Sequence, residues 1–219
     1  MPSDTHPMSP VGSTARWIAA GRALETESPN PLFRDPLARE LTGDAGFAML
    51  AAMRGPDRVG DTTAPEPYFS IRTKFLDDSV LEAVRSGSIA QVLILAAGMD
   101  ARAFRLEWPT GVVLFEIDRD EVFEHKEPII RRLDGRPLCD RRIVHADLAG
   151  SWTEPLTAAG FNPALPSAIL VEGLLYYLDE ASATRLLFTI ERLAAPGSWI
   201  GVDMVNVETL RSPYLTAYL

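Results

Sequence analysis

Three acids in this chain stand where a carboxylate can serve a ligand. Asp118 closes the apolar run Val112-Val-Leu-Phe-Glu-Ile-Asp118, Asp147 closes Ile143-Val-His-Ala-Asp147, and Glu172 follows Ala168-Ile-Leu-Val171. Such runs read as buried strands, and ligands of open α/β sheets bind past the carboxyl ends of their strands. A fourth run, Val92 to Ala96, ends in Ala96-Ala97-Gly98, small residues that let the backbone turn sharply and approach a ligand. Asp118 lies 20 residues beyond Gly98, the offset expected of a carboxylate that binds ribose hydroxyls. Strand, small-residue turn, second strand and acid together form the first half of a nucleoside-binding Rossmann-like sheet.

The turn separates two classes of nucleoside ligand. A dinucleotide fingerprint needs small residues at three places. In Ala96-Ala-Gly-Met-Asp-Ala101 only Gly98 matches as glycine, with Ala101 tolerated at the third place. Asp100 would set a carboxylate beside a pyrophosphate, which is electrostatically unfavourable. S-adenosyl-L-methionine carries an ammonium, a carboxylate and a sulfonium but no phosphate, and an acid near the turn suits it better. The plain alternative for this stretch is an ordinary α/β sheet with a surface aspartate.

The other acids each have two readings. At a strand end Asp147 can accept from an adenine amino group while the Leu148 N–H donates to a ring nitrogen; it can equally cap the following helix. Glu172, flanked by Ala168 to Val171 and Gly173 to Leu178, is costly to bury unless a ligand or an ion-pair partner meets it. The arginines after Gly98 are the candidates for such a pair. Arg72, in Ile71-Arg-Thr-Lys-Phe75, can hold a ligand carboxylate through a bidentate fork, or simply be solvated. His6, His125 and His145 form no metal-ligand or triad spacing. Cys139, between Arg136 and Arg141, reads as a loop bystander before a reactive thiol.

Composition narrows the class. At 219 residues and 47% hydrophobic content the chain can bury one sizeable core with a small appended lobe. A formal net charge of −9 argues against a nucleic-acid partner, which needs basic patches. One cysteine and no signal-peptide pattern point to the cytoplasm, and no apolar run is long enough to cross a bilayer.

Elements that must position these residues follow from periodicity. Residues 1–12 read as a disordered arm. Helices are expected over Ser13–Glu27, from Asp35-Pro36 onward, and over Asp44–Met53. Gly55–Pro67 reads as a mobile loop. A long helix over Tyr68–Arg85 should bury Ile71, Phe75, Leu76, Val80, Ala83 and Val84 and stop at Gly87. Strands near 91–96, 112–117, 142–146, 167–172 and 198–204 then alternate with helices near 119–132, 152–159, 180–194 and from about 206 on. This alternation predicts right-handed crossovers and a parallel sheet. Pro128 should kink or divide its helix.

Read together, Thr14-Ala-Arg-Trp, Arg22-Ala-Leu-Glu25, Asn30-Pro-Leu-Phe-Arg-Asp-Pro-Leu-Ala38, Arg72-Thr-Lys-Phe, Ala96-Ala-Gly-Met-Asp-Ala-Arg102 with Phe104-Arg-Leu106, Phe115-Glu-Ile-Asp118, Asp147-Leu148 and Val171-Glu-Gly-Leu-Leu-Tyr-Tyr-Leu178 carry a resemblance over nearly the whole chain. It resembles the leucine carboxyl methyltransferase family, most closely its bacterial branch of S-adenosyl-L-methionine-dependent O-methyltransferases. The resemblance implies a class I methyltransferase fold: a Rossmann-like, mostly parallel sheet over 67–219, in the order 3-2-1-4-5, with an N-terminal helical lid over 13–66. It implies that Arg72 binds the cofactor carboxylate, the Gly98 turn its amino-acid portion, and Asp118 its ribose. Asp147 and Leu148 would hold the adenine, and Glu172 would face the methionyl ammonium. Ala96 departs from the family, many of whose members have glycine there. Tyr176, Tyr177 and the lid are candidates to shape the acceptor pocket.

The larger departure is at the end, because family members continue past the fifth strand and this chain stops at Leu219. The 198–204 strand is then expected to be an apolar sheet edge, prone to homodimerisation or aggregation, unless the 219 residues are the retained part of a longer polypeptide. The implied activity is methyl transfer to a carboxylate or hydroxyl of a small molecule or peptide. The alternatives are a cofactor-binding protein without turnover and an NAD-dependent oxidoreductase.

Overall fold

The structure, a computed structural model, describes residues 10–54, 64–86 and 88–206. The expectations for residues 1–9, 55–63, Gly87 and the helix after 206 lie outside these residues, as does His6.

Among the described residues five strands form one parallel sheet in the order β3-β2-β1-β4-β5: β1 Gln91–Leu95, β2 Val113–Asp118, β3 Asp140–His145, β4 Ser167–Val171 and β5 Trp199–Val202. The order matches the sequence expectation, and each pairing among the described residues is parallel. β1 and β4 are buried along their whole length, as unbroken apolar runs must be when helices cover both faces of a sheet. Leu93, Leu95, Phe115, Ile117, Ile169 and Val171 meet Trp152, Leu156 and Phe161 in the main core.

Among the described residues eight helical segments accompany the strands: α1 Pro10–Glu27, α2 Ala38–Arg54, α3 Pro67–Arg85, α4 Arg102–Arg105, α5 Asp120–Arg132, α6 Thr153–Ala158, a 3-10 turn Leu175–Tyr177, and α7 Glu180–Leu193. The described residues group into two units. One holds the residues up to Arg72, Gly98–Ala101 and Asp120–Gly135; the other holds Thr73–Ala97, Arg102–Arg119 and the chain from Arg136 on.

Several elements differ from expectation. Residues 10–12 begin α1 instead of ending an arm. The helices expected from Asp35-Pro36 onward and over Asp44–Met53 are both present within α2, divided at Gly43, whose non-helical φ of 56° and ψ of −179° suit glycine. There α1 and α2 are tied reciprocally: Arg16 Nε donates to the Thr42 carbonyl and Thr42 Oγ1 to the Arg16 carbonyl. α5 is not divided at Pro128, because Val122, Phe123 and Ile130 hold it through one buried face. The short α4 and the 3-10 turn carry too few residues to show a period.

α3 departs most. Leu76, Val80 and Val84 are buried as expected, but Ile71 is 61% and Phe75 67% exposed. Glu66, Ser70, Thr73 and Asp77 are buried instead. The acids at the two ends of that row have cations: Glu66 pairs with Arg54, and Asp77 with Arg102 and Arg105. Paired charges can be buried, and here they displace apolar residues from the inner face.

Candidate cofactor site

The parallel register brings three of the expected site residues to one edge. Leu95 pairs with Ile117 on one side and with Val171 on the other. Ala96, Asp118 and Glu172 therefore stand one residue past a common line, at the carboxyl ends of β1, β2 and β4. Asp118 in turn pairs with His145, which puts Asp147 two residues beyond the end of β3. At about 4.8 Å per strand, Asp118 and Glu172 flank the end of β1 roughly 10 Å apart, a span suited to a nucleoside laid across the edge.

The turn after β1 is tight. Ala96 has φ 52° and Gly98 φ 49°, both in the left-handed region. Glycine accepts it freely, whereas alanine pays about 1 kcal/mol for its Cβ. This strained alanine occupies the place where family resemblance expects glycine. The Ala97 N–H is satisfied by the Ile117 carbonyl at 3.1 Å, which locks the turn to β2. Within the first unit, Arg22 donates from Nη2 to the Met99 carbonyl and from Nε to Asp35 at 2.8 Å, so an α1 side chain fixes the segment that contains Gly98.

Each acid is held differently. Asp118 is half-buried, and its Oδ1 accepts the Arg119 backbone N–H at 2.8 Å, which orients the carboxylate. Asp147 is exposed; its Oδ1 accepts from the Ala149 N–H at 2.9 Å and its carbonyl from Gly150 at 2.9 Å. It forms an Asx turn and does not cap α6, which begins after Trp152. Leu148 beside it packs against the main core, an anchor for the backbone N–H expected to meet a ring nitrogen.

Glu172 Oε2 lies 2.8 Å from Arg102 Nη2. The ion pair anticipated as the alternative for this acid therefore engages that oxygen. Arg102 Nε is also 2.8 Å from Asp77 Oδ1, and Arg105 reaches the same aspartate. Both arginines are visible in the motif after Gly98, but their joint partner on α3 is set by tertiary structure alone. Arg72 is buried in the first unit, its Cζ 5.5 Å from the Tyr68 ring and 5.7 Å from the Phe69 ring, close enough for cation–π attraction.

Cys139 is a bystander. Burial, then the charges of Glu116 and Asp140, push its thiol up to about 12 against the pull of Arg141; a thiol protonated at neutral pH is a poor nucleophile. Among the described residues no group of three or more His, Cys, Asp or Glu is placed to hold a metal ion, and no helix is long and apolar enough to cross a membrane.

The donor set on the sheet edge is made of carboxylates. They accept from hydroxyls and amino groups and attract an ammonium, but they repel a phosphate. The residues present fit a nucleoside with an attached amino acid and do not fit a dinucleotide.

Comparison with known proteins shows the family and the fold. The family model described as leucine carboxyl methyltransferase matches residues 15–191. A Mycobacterium avium (strain 104) protein named "Putative S-adenosyl-L-methionine-dependent methyltransferase" is 40% identical over 210 residues, covering 89% of this chain and 67% of its own. A Streptomyces coelicolor protein of the same descriptive name is 42% identical over 199 residues, covering 89% and 66%. The chain thus spans about two thirds of the length of these relatives. A crystal structure titled "putative methyltransferase" from Thermobifida fusca shares the fold, with a TM-score of 0.58 at 17% identity over 91% of this chain and 71% of that one. With its sheet order, its motifs and a family match over most of its length, the chain belongs to the leucine carboxyl methyltransferase family.

Proposed function

We propose that this chain is a cytoplasmic S-adenosyl-L-methionine-dependent methyltransferase that methylates oxygen, on a carboxylate or hydroxyl of a small molecule or peptide. The observation that carries the reading is the common register of Ala96, Asp118 and Glu172 on one sheet edge, joined to a turn that offers no phosphate cradle. Asp118 takes the ribose hydroxyls, Asp147 and the Leu148 N–H take the adenine, and Arg72 takes the donor carboxylate. Glu172, steadied by Arg102, attracts the ammonium, and the Ala96–Gly98 turn lets the amino-acid portion approach the backbone.

The donor supplies an electrophilic methyl group on a sulfonium. The chain's contribution is alignment, because an in-line displacement gains most from fixing donor and acceptor on one axis. A carboxylate acceptor, with a reference pKa near about 4, is ionised at neutral pH and needs no general base. A phenol acceptor would need one. Tyr176 and Tyr177, whose rings stand 4.8 Å apart in the 3-10 turn after β4, are candidates for the acceptor wall. A homodimer paired along the β5 edge completes the reading, and light scattering tests it.

Calorimetric titration with S-adenosylhomocysteine and with NAD, followed by turnover on a panel of carboxylic and phenolic acceptors, tests the function. Binding of S-adenosylhomocysteine alone, with methyl-ester or methyl-ether product, is expected. Binding of NAD instead would overturn it, and binding without turnover on any acceptor would leave only a cofactor-binding protein.

A further inference from the structure

Glu172 belongs to a connected set of four charges. Asp77 comes from α3, Arg102 and Arg105 from α4, and Glu172 from the end of β4, all within the second unit. Arg102 joins the two acids: its Nε lies 2.8 Å from Asp77 Oδ1 and its Nη2 2.8 Å from Glu172 Oε2. Arg105 donates to the same aspartate, from Nη2 to Oδ1 at 2.8 Å and from Nη1 to Oδ2. The side chains of Asp77, Arg102 and Arg105 are 4%, 2% and 3% exposed, whereas that of Glu172 is 14% exposed. The most accessible member is the one at the carboxyl edge of the sheet.

Charge balance accounts for the number of acids. Two buried guanidiniums need two carboxylates, and Asp77, which meets both, supplies only one. Geometry adds something further. A guanidinium is a rigid plane, so a partner that holds Nε also decides where Nη2 can go. The Arg102 main chain is fixed as well, its carbonyl accepting from Trp108 Nε1 at 3.0 Å and from the Leu106 N–H at 3.1 Å. Beside Glu172, the Gly173 N–H donates to Asp203 Oδ1 at 2.6 Å, which pins the backbone just past the glutamate. With both main chains held, the freedom left lies in the two side chains, and the contact with Asp77 restricts it.

We propose that Asp77 is a positioning residue for recognition of the methyl donor's ammonium: it acts through Arg102 to aim the Glu172 carboxylate and touches no ligand itself. The proposal rests on the function given above, and within it on the role of Glu172. Asp77 has an electrostatic task too. It offsets the charge of Arg102, so that Glu172 still attracts a cation although a guanidinium lies against it. Without Asp77, Arg102 would draw on Glu172 alone and cancel that attraction.

The test titrates the 219-residue chain and its variants with S-adenosylhomocysteine and with the analogue lacking the amino group. Glu172→Gln, the reference, should raise the Kd for S-adenosylhomocysteine about tenfold, the scale of one hydrogen bond to a charged group. Asp77→Asn leaves two buried guanidiniums against one carboxylate and should melt lower. The double variant Asp77→Asn with Arg105→Gln removes one charge of each sign and should stay folded, so its binding can be read. Both Asp77 variants should raise the Kd about fivefold, within the range for residues coupled in one network. The deaminated analogue should not distinguish any of them, and Asp77→Asn should add nothing to the loss already present in Glu172→Gln. An unchanged Kd in the double variant, an equal loss for both ligands, or a full additional loss in the Glu172→Gln background overturns the assignment of Asp77 and leaves the role of Glu172 standing. Unchanged affinity in Glu172→Gln overturns that role and this assignment together. Failure of the unaltered chain to bind S-adenosylhomocysteine overturns the function itself.

Discussion

Strand β2 carries two carboxylates on the same face, two residues apart, and they serve opposite ends. Glu116, in the middle of the strand, is fully buried, and Arg141 closes both its oxygens, Nε to Oε1 at 2.9 Å and Nη2 to Oε2 at 2.7 Å. Asp118, at the strand's end, is half-buried, and its Oδ1 accepts the next backbone N–H. Residue type and face are nearly the same; position along the strand differs. A carboxylate inside the sheet must bring its own cation into the core, whereas one at the carboxyl edge can serve a ligand. Glu172 lies between the two, at a strand end yet steadied by Arg102.

The comparison predicts separable effects. Glu116→Gln should cost the most, about 3 kcal/mol of stability, because it leaves the Arg141 guanidinium buried against a neutral partner. Urea denaturation measures it, and the folded fraction should bind S-adenosylhomocysteine as before. Asp118→Ala should do the reverse: binding weaker by about 1.5–3 kcal/mol from the lost charge-assisted hydrogen bonds, with little change in melting temperature. Calorimetry reads the first quantity and thermal melting the second. If both variants lost stability and binding together, the two acids would not have separate tasks.

The smallest effect tests the turn that joins the two. Ala96→Gly should raise stability by about 1 kcal/mol, because glycine accepts the φ of 52° without strain. An unchanged or lower stability would mean that Cβ contacts at this position outweigh the strain.

The strands and the edge acids were legible because apolar runs and small-residue turns are local signals, whereas the strand order came only with the family resemblance. Glu116 and Asp118 could be told apart by position alone, but the partner of Glu116 could not, since Arg141 comes from a strand 25 residues away. α3 was misread at Ile71 and Phe75 for a related reason. Periodicity counts Ile71 and Phe75 as core, and only tertiary ion pairs to Asp77 and Glu66 turn the polar row inward. Arg22 was legible as part of an amphipathic helix but not as the support of the Met99 carbonyl, 77 residues away. Asp147 showed its position at a strand end, while the choice between cap and turn depended on where α6 begins.

One measurement bears on the whole account: a crystal structure of the chain with S-adenosylhomocysteine. It should show the ribose hydroxyls on the Asp118 carboxylate, the adenine beside Asp147 and the Leu148 N–H, and the ligand laid across the carboxyl end of β1. A ligand bound away from this edge, or a ribose that does not touch Asp118, would contradict it.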